Sequence, residues 1–513
     1  MKTRDSFRKT SLLVILISGL LWMGACTRTT DKESEPWKAG QGFVVPTQVP
    51  ASNDNPYITD PRAANQPIQT PTPDAPHPIP GARQNTEKYI VQAGDTLGQI
   101  ANRYGVTIDA IAEASGLTNI NILSVGQELT IPPPDPVDTG PSFKIIPDSE
   151  LVASPVTVYF DTADFAFSQG GYLIRHEEEV NEKLLTGVQI VKLIAQDFSV
   201  NPRLLLAVLE YQSGWVTNPN PRTETLKYPI GWKDSNREGL YRQLAWAANE
   251  LNRGFYLWRV AGTPTWILND GTVVPIDPTI NAGTAGVQYF FGKLYGARSW
   301  EKTVAEEGFF AVYNELFGYP FDYAFEPLLP PGLTQPHLQL PFEDGKEWSF
   351  TGGPHGGWGD GSAWAALDFG PPGNEGGCTP SDDWVVAMTD GVIVRADNGA
   401  VVQDLDGDGN EQTGWTILYM HIESRERVQP GAHLKAGAPV GHPSCEGGVS
   451  NGTHVHIARR YNGEWIAADQ DIPFNLEGWV SSGTGEVYQG YLTKNGITVE
   501  ADQFDTPDRS IQR

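Results

Sequence analysis

The segment Gly452-Thr453-His454-Val455-His456-Ile457 places two histidines at i and i+2 within a short apolar stretch. On a β-strand that spacing puts both imidazoles on one face, a few ångströms apart, where a single metal site can use both. The chain has nine histidines, and seven lie at or after His337. His355 and Asp368 are candidates to complete a ligand set with the pair, and His421 lies between the two halves. A β-structured C-terminal region that works as a metallohydrolase is the leading expectation.

With 513 residues the chain has room for several domains. A hydrophobic fraction of 39% and 15 tryptophans argue for folded cores. The formal net charge of −26 argues against nucleic acid as a partner and against unaided adhesion to an anionic surface. The same acidity suits solubility outside the cytoplasm.

The N-terminus reads as an export signal over residues 1–25. Arg4, Arg8 and Lys9 form a basic start, Ser11 to Trp22 is an apolar run, and Met23-Gly24-Ala25-Cys26 follows. The run is shorter than the roughly 20 apolar residues of a membrane span. Met23-Gly24-Ala25-Cys26 resembles a bacterial lipobox, which implies cleavage before Cys26 and lipidation of that cysteine. The expected location is therefore outside the cytoplasm, tethered to the membrane through Cys26 and facing the periplasm or cell wall. Of the three cysteines this leaves Cys378 and Cys445, both in the C-terminal domain. An exported chain can keep them as a disulfide, the expected state, or as two free thiols. The chain-entropy model assigns a loop of this length roughly 4 kcal/mol.

Residues 26–86 are rich in Pro, Asn, Thr and Asp without sustained apolar periodicity and read as a disordered or polyproline-like tether. Residues 87–132 read as a strand at Tyr89 to Val91, a turn at Gly94-Asp95-Thr96, helices to Tyr104 and from Ile108 to Ala114, and a closing strand at Gln127 to Ile131. The stretches Tyr-Ile-Val-Gln-Ala-Gly-Asp-Thr-Leu at 89–97 and Val-Gly-Gln-Glu-Leu-Thr-Ile-Pro at 125–132 resemble a LysM domain. The resemblance implies a small βααβ fold that binds N-acetylglucosamine-containing glycans such as peptidoglycan. Gly94, Asp95, Thr96, Asn119 and Ile122 are the candidate glycan contacts, with a simple spacer as the alternative.

A linker at 133–150 leads into a mainly helical region, 151–330. Val188 to Asp197, Arg203 to Gln212, Leu240 to Leu251 and Ala282 to Tyr295 carry helical patterning, with Asn201-Pro202 capping the second. Leu204 to Trp215 resembles the signature helix of lytic transglycosylases, which implies a lysozyme-like fold. Gln212 stands where that family has its catalytic glutamate, and an amide cannot protonate a leaving oxygen. Glu210 lies about 200° around the helix from Gln212. The region is expected to be an inactive relative that binds or positions glycan. A helical spacer and a glycosidase using Glu210 are the alternatives.

Residues 339–480 are glycine-rich and patterned as short strands, the expected antiparallel all-β domain. Val385 to Val394 reads as a hairpin turning at Asp390-Gly391. Trp415 to Ile422 reads as a strand with Trp415, Ile417, Tyr419 and His421 on one face. His355, Ala366-Leu367-Asp368-Phe369, Asp390-Gly391-Val392-Ile393, Leu418-Tyr419-Met420-His421 and His454-Val455-His456 resemble the M23 family of zinc peptidases, the lysostaphin-like peptidoglycan endopeptidases. Many members place His and Asp four apart, but here Gly359 occupies that position. The gap from His355 to Asp368 resembles the LasA-like branch, with Asp360 as a rival ligand. The resemblance implies that His355, Asp368 and His456 ligate Zn2+, and that His421 and His454 act on the water and the scissile carbonyl. Asp404, Asp406 and Asp408 resemble the start of a calcium loop, but its twelfth position is Trp415 rather than glutamate, so Ca2+ and a polar hairpin tip stay open. Residues 481–513 read as a C-terminal extension.

The combined expectation is a multidomain, lipid-anchored wall hydrolase cleaving stem or cross-bridge peptides of peptidoglycan. A non-enzymatic wall-binding scaffold that activates another hydrolase is the competing class.

Overall fold

The computed structural model describes residues 56–57, 71, 74, 85–92, 95–104, 106–117, 119–120, 122–133, 139–261, 263–373, 376–502 and 509–513. The export signal 1–25, Cys26, nearly all of the tether and Gly94 lie outside the described residues. No described helix is long and apolar enough to cross a membrane.

The N-terminal unit is a β-α-α-β fold. Strand β1 (Glu87–Ile90) leads to helices α1 (Leu97–Tyr104) and α2 (Ile108–Ser115), and β2 (Glu128–Ile131) returns antiparallel to β1. Thr107 starts α2 by accepting from the Ala110 N–H, and Gly116 ends it in left-handed backbone. Val91, Leu97, Ile100, Ile111, Leu129 and Ile131 close a small core of their own.

The middle region begins with α3 (Thr162–Gln169) and a hairpin of β3 (Glu177–Val180) and β4 (Lys183–Thr186). Helices α4 (Gly187–Phe198), α5 (Pro202–Ser213) and α6 (Leu240–Tyr256) follow. A second hairpin, β5 (Thr265–Ile267) and β6 (Val273–Pro275), precedes α7 (Ala282–Leu294), α8 (Ala297–Thr303) and α9 (Ala311–Phe317). The helix starts have local causes. Thr186 and Gln189 form a capping box on α4. Asn201 caps α5 through the Arg203 N–H, with Pro202 in the first turn.

The C-terminal region is built from strands. They are β7 (Glu347–His355), β8 (Ala366–Gly370), β9 (Val385–Val386), β10 (Gly391–Asp397) and β11 (Ala400–Asp404). Next come β12 (Trp415–Met420), β13 (His433–Leu434), β14 (Pro439–Gly441), β15 (Val455–Tyr461) and β16 (Glu464–Trp465). Last are β17 (Asn475–Leu476), β18 (Trp479–Gly483), β19 (Gly490–Lys494), β20 (Ile497–Glu500) and β21 (Ser510–Gln512). One antiparallel sheet runs β13-β10-β11-β12-β15-β8-β7-β21, with β16 beside β15.

One strand pairing needs correction. The Asp390-Gly391 turn does not join a hairpin: β9 pairs with β14, whereas β10 pairs with β11 and β13. The Asp390 carboxylate instead accepts from the Ala436 N–H and from Lys435 Nζ, tying the turn to another loop. The described residues of the C-terminal extension, 481–502 and 509–513, add strands to the domain. They complete β18, supply β19 and β20, and add β21 at the edge of the main sheet, where Ile511 is buried opposite Trp348.

The main sheet has two apolar faces. Phe350, Leu367, Phe369, Val401, Ile417, Tyr419 and Ile457 fill a core within the C-terminal region. Ala366, Ala400, Val402, Leu418, Met420 and Ala458, on the other face, belong to one continuous core with the middle helices. Polar contacts edge this junction. Arg395 Nη1 reaches Asp197 Oδ1 at 2.6 Å, and Trp465 N donates to Tyr256 Oη at 2.8 Å.

Candidate metal centre

Sheet register brings the site together. His456 on β15 lies directly opposite Asp368 on β8, so the two side chains rise from neighbouring positions on one face. Irregular register in β7 between Phe350 and His355 re-aims the end of that strand toward them. Gly352 lies across from Asp368, and a Cβ there would sit 2.5 Å from Asp368 Oδ2. Glycine is what leaves room for the carboxylate.

Three atoms converge. His355 Nε2 and His456 Nδ1 are 2.9 Å apart, and each is 3.2 Å from Asp368 Oδ1. Among the described residues these three form a group able to hold a metal ion. Asp368 Oδ1 is buried without a hydrogen-bond partner of proper geometry.

Backbone carbonyls set the histidine tautomers. A carbonyl can only accept, so the imidazole nitrogen facing it carries the proton and the other presents a lone pair. His355 Nδ1 faces Gly353 O at 2.8 Å, and His456 Nε2 faces Gly357 O at 3.1 Å. His421 Nδ1 faces Glu446 O at 3.0 Å, and His454 Nδ1 faces Gly452 O at 2.8 Å. In neutral rings, two lone pairs and a carboxylate oxygen therefore meet at one point. A divalent cation satisfies that arrangement; three acceptors alone do not.

The electrostatics follow. Burial raises Asp368, but the charges of His355 and His454 outweigh it and hold the carboxyl well below its usual range. Burial, with His454 and His456 nearby, pushes His421 down to about 3. Burial likewise lowers His456. Burial would also lower His355, but the Asp368 charge reverses the direction and leaves it raised.

His421 reaches the centre by an unexpected route. β12 ends at Met420, and Ile417 and Tyr419 face the other core. His421 adopts φ +64°, which breaks the strand alternation and turns its ring to the metal side. There its centroid lies 4.5 Å from that of His454 and 6.2 Å from that of His456. His454 Nε2 is 3.8 Å from Asp368 Oδ1. All five histidine and aspartate candidates thus share one site. Asp360 does not join them: its carboxylate pairs with Arg253 at 2.7 Å.

Sequence reasoning missed Tyr488. Its ring stacks on His355 at 4.3 Å, and its backbone bonds Gly353 and Pro354. It comes from the loop joining β18 to β19, and no spacing in the sequence ties that loop to the histidines.

The remaining candidates are placed as follows. Cys378 and Cys445 form a disulfide. Asp95 accepts from Tyr89 Oη and the Gln92 N–H, and Thr96 exchanges hydrogen bonds with Gln99, so both stabilise their own turn. Ile122 is 64% exposed, and the Asn119 carbonyl accepts from the Ile122 N–H. Asp404, Asp406 and Asp408 converge, and each also accepts backbone N–H groups of its own loop. Burial and its two neighbours push Asp406 up to about 7. Glu210 accepts from the Val216 and Thr217 N–H groups and from Thr217 Oγ1, which commits it to closing α5. Gln212 Oε1 accepts from Tyr295 Oη at 2.8 Å.

Residues 377–468 match the model of peptidase family M23, which takes in His421, His454 and His456 and begins after Asp368. Residues 89–132 match the LysM domain, and residues 144–330 match the N-terminal domain of LasA. The chain carries an M23 peptidase domain. Protease LasA of Pseudomonas aeruginosa strain PAO1 is 26% identical over 303 residues, 53% of this chain and 65% of LasA. The chain thus matches just under two thirds of that relative's length. LasA of strain UCBPP-PA14 is 25% identical over 304 residues, with the same shares covered. Among solved structures, the M23 metalloprotease pseudoalterin is 25% identical, covering 33% of this chain and 96% of its own at a TM-score of 0.27. The catalytic domain of lysostaphin from Staphylococcus simulans is 25% identical, covering 24% and 88% at a TM-score of 0.17.

Proposed function

We propose that this chain is an exported zinc endopeptidase that hydrolyses stem or cross-bridge peptide bonds of bacterial peptidoglycan. The observation that carries the reading is the convergence of His355 Nε2, His456 Nδ1 and the unpartnered Asp368 Oδ1, with His421 and His454 beside them. Two imidazoles and one carboxylate fit a catalytic zinc with an open position. Bound there, zinc supplies Lewis acidity and a water whose pKa falls to roughly 7.

The protein's own groups do the rest. His421 and His454 each hold Nδ1–H on a carbonyl, which leaves Nε2 free to take a proton from the attacking water. The same nitrogen, once protonated, stabilises a developing oxyanion and hands the proton to the leaving amine. His421 is 4% exposed, and its burial keeps the ring neutral, so Nε2 presents a lone pair rather than a proton to the water.

The LysM unit would hold the enzyme on N-acetylglucosamine-containing glycan, and a lipid at Cys26 would hold it on the membrane. Both act by raising local substrate concentration. The middle domain is read as an inactive lysozyme-like relative, supported by the amide at Gln212 and the committed carboxylate of Glu210. Zymography on purified cell wall tests the reading, with mass spectrometry of the products. Zinc-loaded wild type that clears no wall would sink it.

A further inference from the structure

The loop that joins the first two ligands is held by the middle domain. Between His355 and Asp368 the chain reads Gly-Gly-Trp-Gly-Asp-Gly-Ser-Ala-Trp-Ala-Ala-Leu, a sequence with high conformational entropy when free. Yet Gly357 O must stay in place, because it fixes the proton on His456 Nε2 and so the lone pair on Nδ1.

Helix α6 supplies the restraint. Asn249 Oδ1 accepts from the Gly361 N–H at 2.9 Å, and Asn249 Nδ2 donates to Asp360 Oδ1 at 2.8 Å. One turn later, Arg253 Nη2 lies 2.7 Å from the same Asp360 oxygen. The fit leaves no room for side chains: a Cβ on Gly361 would lie 1.9 Å from Asn249 O, and one on Gly359 would lie 2.7 Å from Asn249 Oδ1. Inside the loop, Gly357 N donates to Ala363 O and Trp358 N to Ser362 Oγ, both at 3.1 Å, so a shift at 359–361 reaches Gly357. On its far side Gly357 abuts Trp465, whose backbone N–H and indole are fixed by Tyr256 Oη and Phe198 O of the middle domain.

We propose that Asn249 and Arg253 are positioning residues for the metal centre, acting through loop 356–362 on Gly357 O and hence on His456. The role follows from the geometry of a side chain on one domain gripping the ligand loop of another. It also explains the glycine at 359, where many M23 enzymes carry a ligand: that position is packed against Asn249. The proposal rests on the reading that His355, Asp368 and His456 hold zinc.

The test is zinc affinity of the full chain, measured by chelator competition, alongside kcat and KM on a wall peptide. Asn249→Ala is expected to weaken zinc by about 10-fold or more and to lower kcat with KM little changed. Asn249→Asp combined with Asp360→Asn restores a donor and an acceptor across the contact but takes the carboxylate from Arg253, so it is expected to bring zinc affinity back from the Asn249→Ala level to within several-fold of wild type. Should Asn249→Ala fail to fold, Arg253→Gln and Asp360→Asn at the exposed end of the clamp give the same readout, with a loss of several-fold. Unchanged zinc affinity and kcat in a folded variant overturn the proposal, as does a loss that the paired exchange leaves unrecovered. Because zinc affinity needs no hydrolysis, a wild type that binds zinc but clears no wall refutes the peptidase reading and leaves this one standing.

Discussion

At the scale of single residues, the four carbonyls decide what each histidine can do. His456→Ala removes the lone pair opposite Asp368 and is expected to abolish both zinc binding and wall hydrolysis. His421→Ala should leave zinc bound near full stoichiometry while cutting kcat by about 10²–10⁴-fold, the range of a general acid–base. Metal analysis beside a peptide-release assay separates the two, and loss of metal from His421→Ala would show the ligand set to be wrong. Protonation adds a pH prediction for the chelator-treated protein. His421 sits at about 3 in the fold against 6.5 when unfolded, and His456 is lowered too. Below about 6.5 the unfolded chain therefore binds more protons, so their stability contribution, present above that pH, falls as pH drops toward 3. His355, raised by Asp368, runs the other way. The melting temperature should decline from pH 7 to pH 4, less steeply in His421→Gln; identical slopes would exclude the buried neutral ring. The grouping was legible in part: the i, i+2 pair on a strand is a period-two signal, and His355 and Asp368 joined it through the M23 resemblance. The carbonyls and Tyr488 were not, since backbone acceptors leave no mark in sequence and a stacking tyrosine has no fixed offset from the ring it covers.

Among elements, local chemistry was readable where the cause is local. Asn201-Pro202 caps α5 as read, and α4 and α5 run within a few residues of expectation. Asp390-Gly391 misled because turn residues report a turn, not which strands it joins. His421 misled because alternation holds only while φ stays extended, and at φ +64° it does not. The disulfide acts at this scale. It ties the segment around Gly377, which bridges Gly452 and accepts from the Thr453 N–H, to the segment whose Glu446 carbonyl orients His421. His421 and His454 take their carbonyl partners from those segments, whereas His355 and His456 take theirs from Gly353 and Gly357. Cys378→Ser with Cys445→Ser is therefore expected to lose about 2–4 kcal/mol of stability and to lower kcat while keeping the metal. Denaturant unfolding and zinc analysis of the double variant check this; a full loss of zinc would mean the disulfide supports the ligands themselves.

For the whole molecule, the boundary that sequence drew between a helical domain and a β domain is not an energetic one. The sheet face turned toward the helices is lined by Ala366, Ala400, Val402, Leu418, Met420 and Ala458, small or unremarkable residues whose pattern does not announce a partner. Their burial depends on α4 to α7, and the buried Arg395 and Glu464 depend on Asp197 and Arg259 across the same junction. Removing the helices would expose that face and leave Arg395 without its middle-domain partner, a far larger cost than cutting an exposed linker. The LysM unit, in contrast, closes its core with its own residues. Two cooperative units follow: residues 87–132 should melt separately, while 139–513 should unfold in one transition seen alike by tryptophan fluorescence and circular dichroism. Deleting 87–132 should leave the main transition within a few degrees of its original temperature. Deleting 139–330 should give a peptidase fragment that aggregates or melts far lower, because the face packed by the helices now meets water. Calorimetry of the full chain and the two deletions decides it. A fragment 339–513 as stable as the parent would show that the shared core holds the helices to the sheet without holding up the sheet.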